Sequence, residues 1–438
     1  MATKPSDILG MNGRYKYTKK NPYSAKQYGF SKLKTKELLR ENGIPTAEVF
    51  HIFESLQDLE NINWETIPVP FVIKPASGSA GKGIIVITSK KPNKLEWQSS
   101  DGEKLTEIEL GLHIENILDG EFSTWGTTHK AIVEEMIPAH PDLIKYSFKG
   151  TPDLRVIVFN KIPVMAMIRI PTRDSKGKAN LDQGAIGLGI DMATGITTFG
   201  VNGKSGIIAE FPGTKKKVAG IQIPSWNKLL ETAVKAGEAA GFIYMGADLF
   251  IHPEKGPMIV ELNGYPGLSI QICNKAGLKK RLERVEGLEV SDAKHGVKIA
   301  QALFTQNLAD SSNSEGDSKI IPTKPQLVVF DDKNKEHETE ALINTGRYRS
   351  AISENYAHEL GIFDIDDLLW RQLEGIEGKV PVVEVKFKMN GKKQKTAMVV
   401  IKKLNKSKHS IELGRIDLQG YLVGDVSNSS NEISESKK

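Results

Sequence analysis

The chain has 438 residues, 39% hydrophobic and 26% charged, with a formal net charge of +5, which suits a soluble globular protein of two or three domains rather than one small core. A single cysteine, Cys273, excludes an intrachain disulfide framework, and no run approaches the roughly 18 apolar residues that span a bilayer. The N-terminus lacks the basic-then-apolar layout of a signal peptide, so a cytoplasmic protein without direct membrane insertion is expected.

Near the start, Lys16, Lys19, Lys20, Lys26, Lys32, Lys34 and Lys36 are interleaved with Tyr15, Tyr17, Tyr23 and Tyr28. That composition fits nucleic acid, an anionic small molecule or acidic peptide, or a plain solvated surface. No nucleic-acid-binding motif accompanies it, so nucleic acid is not expected as a partner. Residues 33–42 read as a short helix stopped by Gly43 and Pro45. β-type runs follow at 71–74, 84–87, 154–159, 163–170, 245–251 and 257–262. Ser225 is the expected N-cap of a further helix whose apolar stripe is Leu229, Leu230, Ala233, Val234 and Ala240. Helices mixed with antiparallel hairpins predict an α+β fold. Residues 309–325 are polar and end in prolines, which is linker composition; they part a domain over 1–308 from one over 326–426, with a frayed tail at 427–438. The second domain is β-rich, with candidate strands at 327–330, 337–343, 380–389, 395–401 and 410–413, a helix-like piece at 348–361, and a hairpin signal at Asn390-Gly391.

Three features carry chemistry. Lys74, Ser77, Gly78, Ser79, Gly81, Lys82 and Gly83 form a loop between two strand-like runs, whose glycines let backbone N–H groups approach phosphate oxygens while the lysines add charge. Gly83 stands where a Walker A loop requires Ser or Thr, so it is not one, and a structural turn is the other reading. The hairpin over 245–262, if symmetric about its turn, sets His252 against Pro257 and Asp248 against Glu261, with Asn263 on the face of Glu261. Two carboxylates and an amide oxygen make a hard site for Mg²⁺; a solvated polar face is the alternative. If Asn160-Lys161 is a two-residue turn, Arg155 opposes Ala166 and the side chains of Arg155 and Arg169 fall on opposite faces. A bulge or a three-residue turn would reunite them.

Taken in order, Lys74-Pro75 with the glycine loop, Val133-Glu134-Glu135-Met136-Ile137, Asp153-Leu154-Arg155-Val156, Arg169-Ile170-Pro171-Thr172 and Glu261-Leu262-Asn263-Gly264-Tyr265-Pro266-Gly267 resemble the ATP-grasp superfamily, more narrowly its RimK-related alpha-L-glutamate-ligase-like branch. The resemblance covers residues 7–305. It implies that ATP phosphorylates a carboxylate, an amine attacks the acyl phosphate, and ADP and phosphate leave. Lys74 would hold the α/β-phosphates, the loop over 77–83 would cover the triphosphate, and Glu134, Glu135, Met136 and Ile137 would form the hinge that meets adenine and ribose. Asp248, Glu261 and Asn263 would hold Mg²⁺, while Arg155 and Arg169 would offset charge on the transferred phosphoryl group.

In the second domain, Asn344-Thr345-Gly346, then Ile411-Glu412-Leu413-Gly414-Arg415 and Asp417-Leu418-Gln419-Gly420, resemble retropepsin-like aspartic proteases, narrowed to the small family often fused to or encoded beside these ligases. The resemblance implies a small all-β barrel and a homodimer in which two loops meet. That family is sometimes labelled a zinc protease, yet His358-Glu359 is followed by Leu360-Gly361-Ile362 and no His-Glu-x-x-His is present. Aspartic proteolysis needs two carboxylates sharing a proton, and Asn344 cannot take part. The expected function is a ligase joining an amino acid or short peptide to a carboxylate acceptor, fused to a peptidase that would remove the added group and is silenced at Asn344. A non-catalytic peptide-binding and dimerisation domain is the other reading of the second half.

Overall fold

In the computed structural model, residues 4–77, 81–92, 94–122, 129–203, 206–304, 319–363, 369–372, 379–418 and 421–424 are described. Gly78 and Ser79 of the glycine loop, the stretch before Lys319 expected as linker, and the tail expected over 427–438 lie outside them. Two compact units divide the chain, one over Thr3–Glu286 and Ser291–Gln306, the other over Asn307–Lys438 together with Gly287–Val290.

The first unit begins with α1 (Met11–Thr18), α2 (Tyr23–Phe30) and α3 (Lys32–Glu41). Ser31 caps α3 by accepting the Lys34 N–H, and Gly43, at φ +64°, lets the chain leave it. Lys32, Thr35, Lys36 and Leu39 recur at helical spacing on its inward side, with Thr35, Lys36 and Leu39 buried. Two of the early lysines therefore point into the protein, whereas Lys16, Lys19, Lys20 and Lys34 are exposed and Lys26 is half-buried.

β1 (Val49–Phe53), β2 (Phe71–Pro75), β3 (Ile85–Lys90), β4 (Glu96–Ser99), β5 (Lys104–Thr106) and β6 (Ala131–Glu135) form an antiparallel sheet in the order β1-β6-β2-β3-β4-β5. Its core joins Phe53, Trp64, Phe71, Ile73, Ile87 and Trp97 to Leu110, Ile114 and Ile117 of the helix Glu107–Leu118. Each such side chain contributes roughly 1.5–3 kcal/mol by leaving water, enough to hold that helix against the sheet. Thr106 and Glu109 close a capping box at its start, a sequence signal of the form T-x-x-E.

β7 (Asp153–Phe159), β8 (Ile162–Ile170), β9 (Ile186–Ile190), β10 (Thr197–Asn202), β11 (Gly206–Ile208), β12 (Tyr244–His252) and β13 (Gly256–Asn263) form a second antiparallel sheet, ordered β11-β10-β9-β8-β7-β12-β13. The fold is thus α+β, as the hairpins predict. Helix Trp226–Ala239 packs on this sheet through Leu229, Leu230, Ala233 and Val234. Ser225 stands at its N-cap but at φ +53° and without a side-chain cap bond; instead the Trp226 indole N–H donates to the Met192 carbonyl at 3.0 Å and anchors the start.

Two bulges set the registers that matter. Asn160 and Lys161 both have positive φ, forming the two-residue turn, yet Arg155 faces Met167 rather than Ala166 because the pairing slips by one between Ile157 and Val158. The slip falls at Pro163-Val164, where proline has no N–H to give the ladder. In the next hairpin His252 pairs with Gly256, not with Pro257, and a shift between Asp248 and Leu249 leaves Val260 as the extra residue. Asp248 consequently stands opposite Glu261, and Gly246 opposite Asn263.

In the second unit, β14 (Lys319–Ile321), within the stretch expected as linker, pairs in parallel with Tyr421–Val423. A six-strand barrel follows, built from β15 (Gln326–Phe330), β16 (Glu336–Ile343), β17 (Ala351–Ser353), β19 (Lys379–Met389), β20 (Lys392–Ile401) and β21 (Ile411–Leu413), with β18 (Leu369–Gln372) flanking β19. The ring closes because β15 pairs with both β16 and β19. Leu327, Val329, Val385, Phe387, Met398, Ile411 and Leu413 fill it, and Asn390 and Gly391, both at positive φ, turn the long hairpin. The helix-like piece narrows to Glu354–Glu359.

Candidate active site

β7 and β8 are buried on both faces along almost their whole length, and Arg155 and Arg169 are the partly exposed breaks in those apolar runs. The two arginines converge on one carboxylate. Arg155 donates through Nε to Asp248 Oδ1 at 2.7 Å and through Nη2 to Oδ2 at 2.6 Å, a bidentate fork. Arg169 Nη2 donates to the same Oδ2 at 2.9 Å and lies 2.6 Å from Asp153 Oδ2. Burial pushes Asp248 upward, but the Arg155 and Arg169 guanidiniums outweigh it and hold its carboxyl below the usual range. Asp153 moves the other way, to about 6, because burial and then the Asp248 charge outweigh the pull of Arg169.

Glu261, across the ladder from Asp248, is raised by burial and by the Asp248 charge, with Lys32, Arg155 and Lys74 opposing. A carboxylate so placed gains from an added cation. Asn263 Oδ1 accepts the Tyr265 N–H at 2.8 Å, and the loop beyond reaches Arg155, whose Nη1 is 3.9 Å from where a Cβ on Gly267 would sit. Among the described residues no three His, Cys, Asp or Glu side chains gather as a metal cluster. The donor set here is two carboxylates and an amide oxygen, which suits a hard, water-retaining divalent ion.

In the six-stranded sheet Lys74 on β2 and Glu134 on β6 share a face, since Lys74 pairs with Ile132 two residues from Glu134. Lys74 Nζ is 2.5 Å from Glu134 Oε1, and Lys36 Nζ of α3 is 3.0 Å from Oε2. Lys36 also donates to the Ala47 carbonyl at 3.0 Å. Burial lowers Lys36 to about 8 despite Glu134, and it raises Glu134 less than Lys74 and Lys36 lower it. Both lysines and Glu134 are about 5–6% exposed, so this is a desolvated triad and not a surface pair. Glu135 instead turns outward to Lys255, at 2.5 Å. The Met136 N–H donates to the Pro70 carbonyl at 3.4 Å, and Ile137 packs with Ala47 and Met258.

Of the glycine loop, Gly81 and Gly83 both lie at φ +68°, a region that favours glycine. A Cβ on Gly83 would sit 2.6 Å from the Phe122 ring, and one on Gly81 would sit 3.7 Å from Lys178 Cδ. Lys82 is exposed beside them. α3 and the segment that follows it tie the two sheets together: the Lys32 N–H meets the Ala76 carbonyl at 3.4 Å, and Thr46 Oγ1 donates to the Ile259 carbonyl of β13 at 2.9 Å. A small cleft between Tyr28–Lys32 and Val260–Leu262 opens beside Glu261.

Sequence reasoning missed Asp153, Lys178 and the separate roles of Lys32 and Lys36. The last two had a legible signal, because lysines occupy the stripe of α3 where apolar residues belong.

In the barrel, β16 and β21 run parallel with Ile343 opposite Leu413, so Asn344 leaves the barrel beside Leu413-Gly414-Arg415. Asn344 Oδ1 accepts the Gly346 N–H at 3.1 Å and Nδ2 donates to Glu412 Oε2 at 3.0 Å. Arg347 Nε donates to the same carboxylate oxygen. Arg415 Nη1 donates to the Thr345 carbonyl at 2.6 Å. Beneath, Ser350 Oγ donates to Asp417 Oδ2 at 2.6 Å and accepts the Gly414 N–H at 2.9 Å. Glu412 is the acidic group at this loop that motif reasoning passed over.

A phosphate-type glycine loop over one antiparallel sheet, with acidic and basic groups converging on the face of a second, defines the ATP-grasp class. The profile of the family described as sugar-transfer associated ATP-grasp matches residues 11–287, and the chain belongs to that family. Membership supports an ATP-dependent ligase. No curated protein sequence matches the chain. Among solved structures, D-alanine–D-alanine ligase from Bacillus anthracis is 14% identical, over 64% of this chain and 70% of that one, with a TM-score of 0.34. The ATP-grasp ligase PsnB with its minimal precursor is 13% identical over 59% of this chain, at TM-score 0.32. VanG D-Ala:D-Ser ligase from Enterococcus faecalis is 15% identical over 64%, at 0.33. The chain spans less than two thirds of the length of PsnB and VanG, at 60% and 64%. Among the described residues no helix is long and apolar enough to cross a membrane.

Proposed function

We propose that the first unit joins an amine to a carboxylate at the expense of ATP. The carboxylate takes the γ-phosphoryl group to give an acyl phosphate and ADP; the amine then displaces phosphate and loses a proton. The observation that carries this reading is the convergence of Arg155, Arg169, Asp248 and Glu261 on one face. Asp248, Glu261 and Asn263 would hold Mg²⁺, which supplies charge neutralisation to the phosphates when bound. Arg155 and Arg169, pre-paired to carboxylates, are oriented before any anion arrives and need little reorganisation to stabilise charge on a transferred phosphoryl group. Lys74, Lys82 and Lys178 would face the triphosphate under the glycine loop. Because the Glu134 carboxylate is taken by two lysines, the adenine contacts fall to the backbone of Glu135–Ile137. The test is ADP release with ATP, Mg²⁺ and a mixture of amino acids and short acidic peptides. Loss of release in Asp248→Ala and Glu261→Ala is expected, and undiminished release in both would sink the assignment.

For the second unit we infer a retropepsin-like barrel, paired with a second copy and lacking the aspartate that cleavage needs. The RimK-related affinity of the first unit belongs with this reading, since a ligase and a peptidase in one chain would oppose each other on the same product. A non-catalytic peptide-binding and dimerisation module is favoured by two contacts: both ends of the Asn344 amide are engaged, by Gly346 and by Glu412. Asn344→Asp separates the two, because a recognition module stays proteolytically silent with the carboxylate in place.

A further inference from the structure

A chain of contacts leads away from the glycine loop over one continuous basic surface. Lys178 lies against Gly81, and the turn that carries it, with Lys176 and Gly177 at positive φ, touches Lys149 and Gly150. The Phe148 N–H donates to the Pro171 carbonyl at 3.0 Å. Lys149 and Arg173 both stand over the Phe148 ring, 5.9 and 5.5 Å from its centroid. Tyr146 comes next: Lys145 and Lys216 lie 5.5 and 5.6 Å from its ring centroid, and Phe211 stacks on it at 5.2 Å. Lys216 Nζ also donates to the Lys145 carbonyl at 3.4 Å. Two loops and a turn far apart in sequence are thereby stapled into one platform. Lys145, Lys149, Arg173, Lys178 and Lys216 are all exposed. Four acids lie on or beside it: Asp142 at 3.6 Å from Lys145, Asp101 at 3.9 Å from Lys149, exposed Asp174 within the turn, and exposed Glu210 bridged to Lys217 through the backbone; solvent-exposed pairs at such range neutralise little.

The rings are supports here and not stacking surfaces, because cations or another ring already lie over them. Carboxylates at side-chain spacing find partners, since lysine ammoniums are point charges on flexible stems that adapt to an extended acidic chain.

We propose that this platform, formed by residues 145–149, 173–178 and 215–217, docks an acidic peptide whose carboxylate is thereby presented to the phosphate loop. The presentation step rests on the ligation reading; the docking surface does not. The probe is fluorescein-labelled hexaglutamate, titrated with the full chain and followed by anisotropy at low and high salt. Binding that weakens with salt is expected, and the K145Q/K149Q/K216Q variant should bind at least about 10-fold more weakly with unchanged melting temperature and unchanged KM for ATP. Equal affinity in the variant, or no binding by the parent chain, overturns the proposal. A heparin hexasaccharide that displaces hexaglutamate at lower concentration overturns the peptide assignment. Retained, lysine-dependent hexaglutamate binding with no ADP release from any acceptor would remove the ligation reading and sustain the docking surface.

Discussion

Asp248 in the first unit and Glu412 in the second are each held by arginine, and the groups around each pair differ. Asp248 is buried, shared by two guanidiniums, and faced by Asp153 and Glu261, with Lys32 and Lys74 acting on the same cluster. Glu412 meets one guanidinium and one neutral amide at a loop whose Thr345 and Gly346 are exposed. Interleaved opposite charges in a desolvated sheet can absorb an arriving polyphosphate by re-pairing what is already there. A lone carboxylate pinned by an amide has no partner with which to share a proton. The first arrangement is suited to charge that moves during a reaction, the second to a surface that binds and stays unchanged.

The largest effect expected to break this contrast comes from Asp248→Asn. It leaves Arg155 and Arg169 buried against a neutral amide, costing about 3–5 kcal/mol in stability. ADP release should fall roughly 100- to 1,000-fold through loss of the arginine-held geometry. Denaturant unfolding and single-turnover ADP assays read the two quantities, and wild-type values for both would show that the cluster is decorative.

Next in size is a pH dependence from Lys36. Its folded value of about 8 lies below the ordinary 10.5, so between the two the unfolded chain keeps a proton that the folded chain has released. Unfolding then takes up a proton, and stability rises with pH across that window by up to about 3 kcal/mol. Lys36→Met lacks the group and should lack the slope. Urea midpoints at pH 8 and pH 10, compared between parent and variant so that other lysines cancel, check this. Parallel slopes would mean that the triad with Glu134 and Lys74 is open to water.

Much of the site was legible because its residues interrupt strong patterns. Arg155 and Arg169 break apolar strands, and Glu261 and Asn263 end one. The pairing of Asp248 with Glu261 was legible from a hairpin taken as symmetric, because the extra residue at Val260 offsets a turn one residue tighter than expected; the register that puts Arg155 and Arg169 on one face was not, since the extra residue at Pro163-Val164 leaves no sign in period-two alternation. The early lysines show the reverse failure. Composition grouped them as one basic cluster, whereas burial splits Lys32 and Lys36 from exposed Lys16, Lys19, Lys20 and Lys34 because only the former lie on the inward face of α3. In the barrel the strands followed from β-branched runs and the Asn390-Gly391 turn. Glu412 escaped notice because its meaning lies in a side-chain hydrogen bond from Asn344, 68 residues away.

Below the Asn344 loop, Ser350→Ala removes a buried hydroxyl that bonds both Asp417 and the Gly414 N–H. Losing those two bonds costs about 1–3 kcal/mol. If Ser350 frames the loop, the loss appears as a lower melting temperature of the second unit with the first unchanged. An unchanged second transition would show that Asp417 is held by other groups.

The smallest stability effect, and the sharpest test of the contrast, is Asn344→Asp. The new carboxylate would sit where Nδ2 now lies 3.0 Å from Glu412 Oε2, so one member of the pair must hold a proton or the two repel. Either way the folded variant favours keeping one proton on the pair, a like-charge effect on the order of 1 kcal/mol. A raised folded value means that the relative stability of the variant is greatest below the ordinary carboxylate range and declines as pH rises through the folded value. Melting of parent and variant at pH 4 and pH 7 measures this, and no divergence would mean that Arg347 alone neutralises the site. Peptide cleavage by the same variant then carries the comparison further. Activity proportional to the square of protein concentration points to two loops meeting in a homodimer. Activity linear in concentration points to Glu412 and the new carboxylate sharing a proton within one chain. Absence of cleavage under both conditions leaves the barrel as a binding module whose one carboxylate serves to hold the loop in shape.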